Sequence, residues 1–182
     1  MKLELQQLIA EAKRLESLSM SIYVKLAQTF RSNRELHEFW VSMARHEAGH
    51  VGALELLEAT IEIADAEPAI RHTSEATSAA AHTIERLRRE VEAAITLERA
   101  FAVAVELEGT ELEDLVLDLV HSLADREQRD QAAQMVVHDL SDLSLMIEKY
   151  TSDDELLARA DALVEKHDVS ADERAQARHG RD

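Results

Sequence analysis

Cysteine is absent from the 182 residues, proline occurs once, glycine four times, and aromatic residues make up only 3%. Without cysteine there can be no disulfide, Cys-ligated zinc, iron–sulfur cluster or rubredoxin-type iron site, and the compartment is left open. The shortage of helix breakers, combined with abundant Ala, Leu and Glu, predicts an all-α protein of long helices. No apolar run approaches the roughly 20 residues needed to span a bilayer. The opening MKLELQQLIAEAKRLES also lacks the apolar centre of a signal peptide, so a soluble, cytoplasmic chain with no membrane partner is expected. Basic residues are in deficit too: 20 Lys and Arg face 37 Asp and Glu, a formal charge of −17 that disfavours nucleic acid and favours cations.

What remains is a chain with 46% hydrophobic residues, enough to bury a core. The densest stretch is LHEFWVSMARHEAGHVGALELLEATI, residues 36–61. In it Leu36, Trp40, Met43, Glu47, His50, Leu54, Leu57 and Ile61 recur alternately four and three apart, which makes one helical face directed at a core. Two of the eight can bind a metal. Glu47 and His50 point within about 60° of each other, roughly 4.5 Å apart along the axis. A buried carboxylate is costly unless paired, hydrogen-bonded or coordinated, so the pair is either a buried His–Glu hydrogen bond or part of a metal site.

The preceding helix, Leu3 to Phe30, carries Leu5, Leu8, Ala12, Leu15, Ser19, Ile22, Leu26 and Phe30 as its stripe, with Glu16 and Tyr23 at its edge. Arg31-Ser32-Asn33 is a polar turn whose Ser32 or Asn33 can cap the second helix, expected to run to about Ala64. Glu16 and Glu47 are nearly equidistant from this turn, which in an antiparallel pair puts them at one depth.

The lone proline, Pro68, marks a break over Asp65 to Glu75, and residues 66–95 read as a crossover with a short helix from Thr83 to Ile95. Thr96 caps a third helix, Leu97 to about Leu123, with Phe101, Val105, Leu112, Leu115 and Leu119 as its stripe, Glu108 within it and Gly109 in mid-helix. A fourth helix runs from about Arg126 to Tyr150, and Thr151-Ser152-Asp153 leads into a short fifth, Asp154 to about Lys166. The expected organisation is a four-helix bundle over 1–150 and a C-terminal helix with a polar tail over 151–182. Val116 and Val120 read as exposed apolar residues on a helix flank that could support a homodimer.

An offset of 92 residues superposes the two halves: Glu16 to Glu47 spans 31 residues, as does Glu108 to Asp139. His46-Glu47-Ala48-Gly49-His50 then overlies His138-Asp139-Leu140-Ser141-Asp142. Two such hairpins would form a pseudo-twofold bundle with inward groups at one level.

Over roughly residues 3–150 these residues resemble the ferritin-like superfamily, and within it the rubrerythrin-like proteins: Glu16 with Tyr23, FWVSMARHEAGH, and LERAF followed by VELEGTEL. That family builds dinuclear sites from one Glu on each of two helices and a Glu-x-x-His on each of the other two. The resemblance implies Glu16, Glu47, His50 and Glu108 as ligands, with Asp139 where a Glu and Asp142 where a His is expected. The fourth-helix stripe Val136, Leu140, Leu143, Ile147 leaves Asp139 about 70° and Asp142 about 130° off its centre. The implied metal is iron, in a di-iron or mononuclear site, with manganese or zinc as alternatives. Oxidase or peroxidase-type redox chemistry is implied, and with no attached rubredoxin the electrons would come from a separate donor. One rival is a helical binding or scaffold protein with a degenerate or empty site. A remote one is a zinc protease, because His46-Glu47-Ala48-Gly49-His50 also fits His-Glu-x-x-His; but His46 lies off the core face and no strand pattern exists for a substrate edge.

Overall fold

The computed structural model describes residues 2–60, 74–110, 112–121 and 140–179, and every secondary element among them is an α-helix. In chain order these are α1 (Lys2–Thr29), α2 (Arg34–Thr60), α3 (Ser74–Val91), α4 (Leu97–Glu108), α5 (Leu112–His121), α6 (Ser141–Tyr150) and α7 (Asp154–His179). None of the described helices is long and apolar enough to cross a membrane.

The helices group into two compact units. The first holds α1, α2, α3 and α5, and its frame is the α1–α2 hairpin. Asn33 closes that hairpin: its side-chain oxygen accepts from the backbone N–H of Glu35 (3.1 Å) and Leu36 (3.3 Å), which starts α2 as an N-cap should. His37 ties the same end shut, its Nδ1 donating to the Ala27 carbonyl at 2.9 Å. Between the helices Ile9, Ala12, Leu15, Ile22 and Leu26 meet Leu36, Trp40, Met43, Ala53, Leu54 and Leu57, all buried. At about 1.5–3 kcal/mol for each fully buried large aliphatic side chain, this interface is a major source of the unit's stability.

The interface is wider than the expected stripe. Glu16 and Tyr23 lie fully inside it and not at its edge, and Ile9 takes the buried place next to Leu8, which is half-buried. Tyr23 stacks on Trp40 with ring centroids 6.1 Å apart and planes 17° from parallel, and Phe39 closes on the other side of Trp40 at 4.7 Å.

α3 lies along α1, burying Ala80, Ile84, Leu87 and Val91 at the spacing of one helical face. It begins nine residues before the expected Thr83, because the alanine-rich run after Ser74 is helix and not connector, and it ends at Val91 short of Ile95. Salt bridges Arg14–Glu85 (3.1 Å) and Lys25–Glu92 (3.4 Å) flank the contact at the surface, where such pairs contribute about 0–1 kcal/mol. α5 packs on both α1 and α2 and buries Leu112, Leu115, Val116, Leu119 and Val120. Val116 and Val120 are therefore core residues, and the homodimer surface expected of them is not there. Leu112, Leu115, Val116, Leu119 and Val120 fall within about 140° of arc, one apolar face of ordinary width, so Val116 and Val120 lie on the edge of the inner face and not on an outer flank.

The expected third helix is two. α4 ends at Glu108, with Gly109 as its C-cap, and the chain crosses from one unit to the other between Gly109 and Thr110. The Gly109 N–H still donates to the Val105 carbonyl at 3.1 Å, the last helical bond before the break.

The second unit holds α4, α6 and α7. Thr96 caps α4 as expected, its side chain accepting from Arg99 N–H at 3.2 Å. Asp153 caps α7 by accepting from Leu156 N–H at 2.9 Å. Phe101, Val103, Val105, Leu107, Leu143, Met146, Ile147, Leu156 and Ala160 are buried, and Ser144 donates a hydrogen bond to Asp161 across α6 and α7. α7 continues to His179, beyond the expected end near Lys166, because no glycine or proline interrupts the chain before Gly180. The Pro68 break, the far end of the second helix and the turn at 123–125 lie outside the described residues.

Candidate metal centre

α1 contributes Glu16, and α2 contributes Glu47 and His50 one helical turn apart, so the three side chains enter the same interface from two helices. They are buried to 1%, 4% and 2% residual exposure. His50 Nδ1 lies 3.2 Å from Glu16 Oε2 and 3.4 Å from Glu47 Oε2, and one donor atom from each residue lies within 4.8 Å of the other two. The equidistance of Glu16 and Glu47 from the Asn33 turn thus becomes a contact. Seven residues nearer the turn on each helix, the same register stacks Tyr23 on Trp40.

Burial raises the Glu47 carboxyl well above its ordinary 4.5, the negative charge of Glu16 raises it further, and His50 pulls against both. For His50 burial opposes the charged imidazole, yet the charge and hydrogen bonding of Glu16 and then Glu47 outweigh it and hold the pKa well above the ordinary 6.5. Without a metal, Glu47 and His50 therefore retain protons that they would release in water.

Protons satisfy the cluster only in part. Two carboxyl groups present four oxygens to a single ring nitrogen, and Glu16 Oε1 is buried with no hydrogen-bond partner among the described residues. A buried acceptor left unmade costs about 1–3 kcal/mol, more if charged. A cation removes both deficits, since it takes up the spare oxygen and cancels the repulsion between carboxylates. The residues fit a metal ion: two oxygen donors and one imidazole suit a divalent first-row metal or zinc. Glu16, Glu47 and His50 thus form a buried group that could hold a metal ion.

Glu108 is buried, on the last turn of α4 in the second unit. Asp142 is exposed in the first turn of α6, where a negative charge favours the helix dipole. Asp139 lies outside the described residues. His46 is not one of the three clustered groups, so the His-Glu-x-x-His reading keeps only its Glu and its second His.

Sequence reading placed Glu16 at the edge of its helical stripe and at the depth of Glu47; the structure buries it fully and sets it beside Glu47 and His50. No family model matches the chain, and no curated protein or solved structure matches it either.

Proposed function

We propose that this chain is a metal-binding protein of the ferritin-like, rubrerythrin-like kind, with iron as the ion at Glu16, Glu47 and His50. The observation that carries the reading is the buried group itself, three donors within 4.8 Å of one another with Glu16 Oε1 left over. Bound iron would supply one-electron redox chemistry toward oxygen or peroxide, with a separate protein as electron donor.

The residues of the chain do the rest. Glu16 and Glu47 give charge and oxygen donors, and His50 offers Nδ1, the nitrogen already turned toward both carboxylates. Tyr23, Trp40 and the aliphatic side chains of α1 and α2 keep bulk water away and hold the helices in register. In the full ferritin-like reading Glu108, Asp139 and Asp142 would serve a second ion.

The exposure of Asp142 favours a second reading, a helical scaffold whose site has decayed. Metal analysis of protein made in iron-supplemented medium separates the two. Iron retained by the purified chain and lost from Glu47→Ala supports the metal reading. Protein that takes up no metal supports the scaffold.

A further inference from the structure

We infer that the α1–α2 hairpin is by itself a complete site for one divalent cation, and not half of a two-ion centre. The inference rests on the metal-binding reading and goes beyond it to the number of ions and the charge they carry.

Among the described residues the three clustered donors come from two adjacent helices of one unit, joined by the four-residue connection between Thr29 and Arg34. The site thus depends on a single turn. Its charge is balanced for one ion: two carboxylates and a neutral imidazole sum to −2, which a single divalent cation cancels. A second divalent ion in the same dry space would leave two positive charges uncompensated, a cost that further buried carboxylates would have to offset.

In the sequence repeat, the partner of His50 is Asp142, which faces water on α6. The donor count fits as well. Glu16 keeps a spare buried oxygen for chelation, so the three residues can fill several coordination positions from one side. The remaining positions are left for water or an anion of similar size, since burial to a few per cent exposure admits nothing larger. Two carboxylates with one imidazole accommodate Mn(II), Fe(II), Co(II) or Zn(II), and which ion is held is decided by geometry and metal availability, since intrinsic affinity rises along the series to copper.

The test titrates metal-free full-length protein with Mn(II), following stoichiometry by calorimetry and ion environment by electron paramagnetic resonance. One ion per chain is expected, with the spectrum of an isolated Mn(II). Glu108→Gln and Asp142→Asn should bind as the parent does. Glu16→Gln and Glu47→Gln should each weaken binding beyond the roughly 10–100-fold lost when only a supporting partner of a ligand is removed. Circular dichroism identifies any variant that fails to fold, and in that event the parent stoichiometry and Glu108→Gln decide alone. Two ions per chain with an exchange-coupled spectrum that disappears in Glu108→Gln would overturn the inference while leaving the metal-binding reading intact. Failure of Mn(II), Fe(II) and Zn(II) to bind at all would overturn that reading as well.

Discussion

The α1–α2 hairpin and the stretch that repeats its pattern 92 residues later place similar residues in different settings. In the hairpin the carboxylate-x-x-ligand pair sits mid-way along a 27-residue helix, with buried side chains a turn or more to either side. In the repeat, Asp142 opens a 10-residue helix and faces solvent. Glu16 lies near the middle of a 28-residue helix, whereas Glu108 is the last residue of a 12-residue one. Helix length separates the two cases. A long unbroken helix holds an acidic side chain deep in an interface and forces it to find a counter-charge. The N-terminal end of a helix offers exposed N–H groups and solvent, which stabilise Asp142 without one, whereas Glu108 is buried at a C-terminal end, where the dipole disfavours a negative charge.

The sharpest way to break the comparison is to remove a ligand from each half. Glu47→Ala should abolish metal binding, and its loss should show in metal content after dialysis. Asp142→Asn should leave metal content unchanged, and equal losses from both variants would refute the distinction.

Next in size is stability. Trp40→Ala should destabilise the protein by about 3–5 kcal/mol, read from denaturant unfolding, because it empties a fully buried site stacked on Tyr23. A loss below about 1 kcal/mol would mean that the hairpin core is not packed as described.

A third effect is pH dependence in metal-free protein. Glu47 and His50 both hold protons more tightly folded than unfolded, so their stabilising contribution is fully present below the ordinary 4.5 and 6.5 respectively. It is lost as pH rises through the raised values, because the unfolded chain then binds fewer protons than the native one. The melting temperature of chelator-treated protein should therefore fall as pH increases above about 6.5. Saturating Mn(II) should reverse the trend, since the metal requires both groups deprotonated. A metal-free melting temperature that climbs over that range would contradict the cluster.

The smallest effect is expected at the end of α4. Gly109 has φ −76° and ψ −2°, a conformation open to any residue. A Cβ there would sit 3.1 Å from the Val105 carbonyl and 3.9 Å from Leu163 Cδ2. The roughly 1 kcal/mol of helix propensity that alanine adds is thus offset by crowding against Val105. Gly109→Ala should change stability by less than about 1 kcal/mol, and Asp142→Asn by no more than about 0.5 kcal/mol.

The hairpin was legible in the sequence because several signals agree there. The Asn33 cap, the four-three spacing from Leu36 to Leu57, and the placement of Glu16 and Glu47 about one turn all point to the same antiparallel pair. The all-helical character was legible from the shortage of breakers. The end of α4 was not, because a glycine within a helical pattern reads equally as a tolerated weakness or as a stop, and here it is the stop. Val116 and Val120 misled because the stripe was drawn as a narrow line through Leu112, Leu115 and Leu119, whereas the buried face also takes in the positions one residue on. Glu16 was placed at an edge because its stripe was centred on Leu15, Ser19, Ile22 and Leu26, and the buried face of α1 is wider than that line, taking in Glu16 and Tyr23 as well.

The chain's only tryptophan lies inside that hairpin, shielded from solvent and stacked on Tyr23. Its intrinsic fluorescence is thereby an optical channel for the α1–α2 interface. Emission should stay at the short wavelengths of a dry indole while the two helices remain docked, and it should redden only when they part. Opening of this interface can thus be followed in the unlabelled protein.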